Sequence, residues 1–528
     1  MCGILVVQSE DMNKQRLQKA LDAASYRGPD DQELVIKKGI AYGFNRLSIM
    51  DLSDHGNQPF EYNNCTMVCN GEIYNYLELK NNLESSYHFN SGSDCEVIIP
   101  GYLKYGIEIL VKSLDGEFAL VIKDENNNKL MAARDPMGIR AMFYGYEKVT
   151  KEICFASEAK ALMEYCDEIY PFPPGHYYED GKFTQYHDLS TVDYFVQDDI
   201  PTIANKLREK LEVSVEKRLQ SDAPIGYLLS GGLDSSLVCA IGQRLADKPI
   251  RTFAIGMETD PIDLKYAKQV ADFLKTDHTE VIMTKDDVLD NLREVIYNLE
   301  TYDITTIRAS MAMFILCRYI RQNTDIKVIL TGEVSDEIFG YKYTDFAPTP
   351  QAFQEESAKR IRELYMYDVL RADRCISANS LEGRVPFGDK FFVEYAMSID
   401  PAKKMNTYNK GKYLLRHAFE GTGYLPDEIL FREKAAFSDA VGHSMVDYLK
   451  EYAQEHYSDE DLKNASVKYP THTPFTKESL LYRDIFESYY PGKDLWIKDF
   501  WMPNKEWENC DVDDPSARVL KNYGDSGL

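Results

Sequence analysis

The sequence predicts a two-domain α/β protein, and three observations carry that expectation. Its 528 residues exceed what one hydrophobic core organises. The pattern changes near residue 195, from short β-rich runs separated by turns to strands and helices in alternation. Two unrelated chemical signatures flank the change: a cysteine directly behind Met1, and the run Ser230-Gly231-Gly232-Leu233-Asp234-Ser235-Ser236. Units of residues 1–195 and 196–528 are therefore expected.

In the first unit, residues 3–8, 65–69, 118–123 and 129–133 read as antiparallel strands between Gly- and Asn-bearing turns. Residues 14–24, 76–83 and 95–105 have helical periodicity. Pro171, Pro173 and Pro174 interrupt regular structure ahead of the changeover. Beyond residue 200 the order is strand 225–229, helix 235–246, strand 250–256, helix 263–274 and strand 278–283. Helices 286–299 and 307–321 follow, then the apolar strand 327–330. That order implies a parallel sheet covered on both faces. Residues 352–449 read as mostly helical, and the tail beyond 463, rich in Pro, Tyr, Trp and Asp, has no clear period.

Composition excludes several function classes. With 60 Lys and Arg against 86 Asp and Glu, the net charge of −26 argues against nucleic acid or an anionic membrane as partner. There is no apolar run of membrane-spanning length and no secretory leader, so a cytoplasmic protein is expected. The ten cysteines include no C-x-x-C pair, and Cys65 and Cys69 have no histidine at metal-ligand spacing. They read as reduced thiols, with Cys2 the exception.

If Met1 is removed, Cys2 carries a thiol and a free α-amine of pKa roughly 8, which can take the thiol proton or relay it through water. An amide attacked by that thiolate needs donors for the developing oxyanion. Asn70 and Gly71 can supply a side-chain amide and a backbone N–H. An amino-acid substrate also needs a cation for its carboxylate and anions for its ammonium, roles open to Arg46, Glu72 and Asp94. Taken singly, each has a blander use: Arg46 as a surface charge, Asn70-Gly71 as a hairpin turn, Asp94 as a helix N-cap.

The Ser230 run joins an apolar strand to a helix, so free N–H groups, the helix dipole and hydroxyls converge on one point suited to an anion. Gly231 and Gly232 leave room for close approach. The lysine of the Walker pattern is missing. Asp234 offers a hard oxygen ligand for Mg²⁺. Thr331-Gly332-Glu333-Val334-Ser335-Asp336-Glu337 leaves the strand at 327–330 by its carboxyl end, where ligands sit in open α/β sheets.

The run at 230–236 resembles the pyrophosphate loop of ATP pyrophosphatases, and nearly the whole chain resembles glutamine-hydrolysing asparagine synthetases. The matching strings include Met1-Cys2-Gly3-Ile4, Arg27-Gly28-Pro29-Asp30, Arg46-Leu47-Ser48-Ile49, Asn70-Gly71-Glu72-Ile73-Tyr74-Asn75 and Arg134-Asp135-Pro136-Met137-Gly138. In the second half they include Glu300-Thr301-Tyr302-Asp303, Thr305-Thr306-Ile307-Arg308-Ala309-Ser310 and Arg384-Val385-Pro386-Phe387. The resemblance implies an N-terminal-nucleophile glutaminase of α/β/β/α layers, followed by an α/β ATP-pyrophosphatase-like synthetase domain with a parallel sheet. It implies Cys2 as nucleophile, Asn70 and Gly71 as oxyanion hole, and Arg46, Leu47, Ser48, Ile49, Met50, Glu72 and Asp94 around glutamine. It places Leu229, Ser230, Gly231, Gly232, Asp234, Ser235, Ile255, Thr331, Gly332 and Lys434 around ATP. Glu333 corresponds to the acid tied to forming a β-aspartyl adenylate, and Asp234 and Asp336 to Mg²⁺ ligands. Glutamine, aspartate and ATP are the implied small-molecule partners, and a homodimer the implied assembly.

The chain departs from that pattern in places. Val334 and the single glycine of Phe339-Gly340-Tyr341 replace more glycine-rich versions, and Gly383 and Gly388 stand where Ala and Leu are more usual. A β-branched residue disfavours the backbone that glycine permits, so the loop carrying Glu333 is expected to be shaped differently. Two alternatives to asparagine synthesis are ATP-dependent amidation of another carboxylate, and a regulatory paralogue that keeps only glutaminase activity.

Overall fold

In β1 (Gly3–Gln8), Ile4 and Val6 face one side and Leu5 and Val7 the other, so both faces of this strand must be covered. The computed structural model describes residues 1–85, 87–259, 261–406, 410–433 and 443–522, and it shows what covers each face. β1 belongs to a six-stranded sheet with β2 (Asp31–Lys37), β3 (Ile40–Arg46), β8 (Phe143–Glu147), β9 (Ile153–Ala156) and β10 (Cys166–Pro171), in the order β10-β8-β9-β1-β3-β2. A second sheet holds β4 (Phe60–Tyr62), β5 (Cys65–Ile73), β6 (Gly116–Asp124), β7 (Lys129–Arg134), β11 (His176–Glu179) and β12 (Lys182–Gln185), in the order β12-β11-β7-β6-β5-β4. Both are antiparallel. Ile4 and Val6 meet Val68, Ala119 and Val121 between the sheets. Leu5 and Val7 meet Leu17, Ala20 and Leu21 of α1 (Lys14–Asp22). The far face of the second sheet packs Met67, Leu120 and Ile122 on α2 (Tyr76–Leu83) and α3 (Ile98–Ser113). The layers are thus α/β/β/α.

The second half begins with α4 (Ile200–Lys217), capped by Asp199, whose side chain accepts from Thr202 N. A five-stranded parallel sheet follows, in the order β15-β14-β13-β16-β17. Its strands are β13 (Ile225–Leu228), β14 (Arg251–Met257), β15 (Asp277–Met283), β16 (Val328–Leu330) and β17 (Glu382–Arg384). α5 (Leu233–Leu245), α6 (Ile262–Leu274), α7 (Lys285–Leu299), α8 (Ile304–Asn323) and α9 (Ser335–Phe339) connect or follow them. α10 (Pro350–Glu363) and α11 (Asp368–Ser377) precede β17. The chain runs outward from β13 to β14 and β15, then returns to β16 on the other side. β13 and β16 therefore flank the switch in strand order, where the carboxyl ends leave a crevice for ligands.

Three expectations need correction. β17, the edge strand of the parallel sheet, lies inside the stretch read as mostly helical, because three residues that are all buried carry no alternation to detect. The strand expected at 65–69 continues to Ile73, so Asn70-Gly71 is not a turn but pairs with Ala119 and Phe118 of β6. Asp94 does not cap a helix. It opens a short 3₁₀ turn, and its carboxylate accepts from Ile73 N at 2.6 Å. Among the described residues no helix is long and apolar enough to cross a membrane.

Candidate active sites

The first site is built at the ends of β1, β3 and β5. The Cys2 thiol points at Leu47 O, 3.7 Å away, and burial pushes its pKa up. The Met1 amine, also buried, is pushed down to about 5. With Met1 attached, the thiol is poorly ionised and the amine belongs to the wrong residue. Removing Met1 is the step that would put both on one residue.

Asn70 is completely buried, and neither its Oδ1 nor its Nδ2 has a hydrogen-bond partner among the described residues. An orphaned buried amide is expensive unless a ligand satisfies it. A Cβ on Gly71 would lie 2.6 Å from Glu117 O, so only glycine fits against β6 there. Glu72 and Asp94 share a buried corner. Burial first, and then the neighbouring Asp94 charge, hold the Glu72 carboxyl well above its ordinary range. Burial raises Asp94 to about 6. A cation between them would draw both back to the charged form.

Arg46 is buried rather than a surface charge. Its guanidinium donates to Ser53 O (2.6 Å), Asn57 Oδ1 (2.5 Å) and Asp51 O, and it forms no ion pair among the described residues. Leu47 and Ile49 turn into the apolar core of the second half, with Met50 partly buried against it. The Ser48 amide donates to Asp30 Oδ2 at 2.8 Å.

The second site is a cleft of about 230 Å³ at the switch between β13 and β16. Leu229, Ser230, Gly232, Asp234, Ser235, Ile255, Thr331, Gly332, Glu333 and Asp336 all line it. Gly231 does not. At φ 72° it packs on the next helix, where a Cβ would lie 2.4 Å from Ala267 N. The Ser230 and Ser235 hydroxyls lie 3.0 Å apart and tie the loop to the first turn of α5. Gly332 lets the two strand-end loops touch, because a Cβ there would lie 2.8 Å from Ser235 N. Lys434 lies outside the described residues.

Two ion clusters order this cleft, and sequence reasoning missed the central residue of each. Lys412 Nζ sits 2.8 Å from both Asp234 carboxylate oxygens, 2.9 Å from Ser335 Oγ and 2.5 Å from Asp336 Oδ1. This set of hard oxygens fits Mg²⁺ carried by phosphates. Among the described residues, no group of three His, Cys, Asp or Glu side chains forms a metal site by itself. Glu333 pairs with Arg371 of α11 at 2.5 Å. Burial raises the Glu333 carboxyl, and Arg371 opposes the rise. Residues of the tail, including Trp501, Pro515 and Ser516, close one side of the cleft.

A glutamine amidotransferase domain family matches residues 1–173, and an asparagine synthase family matches residues 206–350 and 345–512. A probable glutamine-hydrolysing asparagine synthetase of Acanthamoeba polyphaga mimivirus is 42% identical, over 98% of this chain and 100% of its own length. One of Schizosaccharomyces pombe is 41% identical over 99% of each chain, and the asparagine synthetase of Mus musculus 40% identical over 99% of each. The chain belongs to the glutamine-hydrolysing asparagine synthetases.

In this synthetase, α11 bridges the two sites. Arg371 reaches Glu333, while Asp373 and Ser377 accept from Arg27 Nη1 at 2.9 and 3.0 Å. Arg27 Nε in turn donates to Cys2 O at 3.0 Å. Val334 takes the left-handed backbone that glycine would permit, at φ 82° and ψ −24°. The loop carrying Glu333 thus keeps a glycine-like turn at this residue, under strain.

Proposed function

We infer that the chain makes L-asparagine from L-aspartate and L-glutamine with ATP, residues 1–195 acting as glutaminase and 196–528 as synthetase. Cys2, freed of Met1, attacks the glutamine side-chain amide. Asn70 Nδ2 and the Gly71 N–H receive the oxyanion, Arg46 holds the α-carboxylate, and Glu72 and Asp94 hold the ammonium. Leu47, Ser48, Ile49 and Met50 shape the wall beside the substrate. Ammonia leaves as the glutamyl thioester forms, and water then hydrolyses the thioester to glutamate and frees the thiol.

In the cleft, the Ser230–Ser235 loop cradles the pyrophosphate portion of ATP at the start of α5. Leu229, Ile255, Thr331 and Gly332 line the adenylate, and Lys434 supplies a cation near the phosphates. Asp234 and Asp336 would hold Mg²⁺, which neutralises the departing pyrophosphate. An aspartate β-carboxylate is a poor electrophile, and adenylation gives it a good leaving group. Glu333 orients that step, ammonia attacks the acyl carbon, and AMP leaves. Ammonia passing inside the protein escapes protonation in solvent. The same reading has the enzyme act in the cytoplasm as a homodimer.

One observation carries the proposal: a buried Asn70 amide without a partner among the described residues, beside Glu72 and Asp94, occurs in the same chain as a strand-switch cleft lined by Ser230, Gly232, Asp234 and Ser235. Incubation with ATP, Mg²⁺, aspartate and glutamine is expected to yield asparagine, glutamate, AMP and pyrophosphate. ADP and phosphate as products would contradict it.

A further inference from the structure

Val334 is a β-branched residue in a left-handed backbone conformation, an arrangement that persists only where the surroundings hold it. Its side chain is 2% exposed and belongs to the apolar cluster that includes Ile139, Val385 and Phe387. Gly388, by contrast, has no left-handed φ, so its backbone does not demand glycine. The constraint there is space. A Cβ built there would lie 3.0 Å from Ile139 Cδ1, 3.4 Å from Val385 Cγ1 and 3.6 Å from Val334 Cγ2. Val334, Ile139 and Val385 together occupy the volume that a larger side chain at 388 would need.

The residues beside Val334 are the ones that meet the cleft's fixed cations. Glu333 precedes it and pairs with Arg371, while Ser335 and Asp336 follow it and meet Lys412. A rotation of the backbone at 334 would swing both acids. We propose that Val334 and Gly388 form one positioning device. The Val334 side chain, seated over Gly388 and beside Ile139 of the N-terminal half, holds the 333–336 turn so that Glu333 faces Arg371 and Asp336 faces Lys412. The device rests on the functional reading above and deepens it, since it makes Gly388, opposite the 333–336 turn, a determinant of synthetase turnover.

The test compares Gly388→Leu, Val334→Gly and the double variant in the full chain, with ammonium as nitrogen donor. Glutamine hydrolysis in the same preparations reports folding. Gly388→Leu is expected to lower the kcat of asparagine synthesis by about tenfold or more through overpacking, with glutaminase activity within about twofold of wild type. Adding Val334→Gly is expected to bring kcat back to within about threefold of wild type, because glycine takes the left-handed backbone freely and yields its volume to leucine. A double variant no better than Gly388→Leu, or a Gly388→Leu protein with wild-type kcat, would overturn the proposal. If the leucine variant does not fold, Gly388→Val, whose γ carbons extend beyond the Cβ already in contact with Val334 Cγ2, keeps the test open: it should show a smaller loss that Val334→Gly again relieves, and absence of relief overturns the proposal equally. A wild-type chain with no aspartate-dependent pyrophosphate release would instead overturn the functional reading itself.

Discussion

Arg384, on the last strand of the parallel sheet, forms a 2.9 Å ion pair with Glu72, on β5 of the glutaminase half, and both are buried. Glu382 on the same strand pairs with Arg384 at 2.9 Å, and Arg140 pairs with Glu117 at 3.0 Å. The residue proposed to hold the glutamine ammonium is therefore steadied by the synthetase half. Replacing Arg384 by Met leaves Glu72 buried without this partner, which typically costs about 3–5 kcal/mol. A lower urea midpoint and a raised KM for glutamine are expected. A variant with both unchanged would show that the pair is ornamental.

Cys2→Ala removes the proposed nucleophile and leaves the residues of the cleft unchanged. Glutamine-dependent synthesis should vanish, and synthesis from added ammonium should persist. Loss of both, measured on the same folded preparation, would mean that the two sites are not separable.

Asp94 gives a pH signature. Its folded pKa of about 6 lies above the ordinary 3.8, with burial as the leading cause. The native state thus binds the proton more tightly, and this stabilisation is complete below 3.8 and is lost as pH rises through about 6. At 1.36 kcal/mol per pH unit, the interval is worth roughly 3 kcal/mol. Urea unfolding of wild type and Asp94→Asn between pH 4 and 7 (about the span of that interval) should show wild type losing stability relative to the variant. A constant difference across the range would contradict the assignment.

Lys412 is expected to matter for ATP alone. Lys412→Met removes the cation shared by Asp234 and Asp336, so KM for Mg·ATP should rise by about tenfold, with glutamine hydrolysis unaffected. Pyrophosphate release titrated against Mg·ATP reads this directly, and an unchanged KM would show the cluster to be structural only.

Much of this architecture was legible in the residues. The apolar run of β1, the order of strands and helices from β13 to β16, and the two strand-end loops all follow from local pattern and turn chemistry. What was not legible arises from long-range convergence. Lys412 lies 178 residues from Asp234, and nothing in its own neighbourhood distinguishes it from a surface lysine. Arg371 and Asp373 sit on a helix whose amphipathic pattern is clear, but which buried charges they would meet is decided by the packing of the two halves. Strand β17 is too short to show a period, and the tail lines the cleft through irregular segments that carry none. The blander reading of Asn70-Gly71, a hairpin turn, rests on a dipeptide that commonly forms one, whereas here Gly71 is required by the close approach of β6.

The most direct measurement follows the nitrogen atom. Glutamine labelled with ¹⁵N in its side-chain amide is incubated with the enzyme, aspartate and Mg·ATP in the presence of unlabelled ammonium, and the product is identified by mass spectrometry. Asparagine carrying the label in its amide, formed together with AMP and pyrophosphate, is the predicted result. Asparagine without label, or glutamate released with no asparagine formed, would contradict a chain in which Cys2 frees the nitrogen that the adenylated aspartate captures.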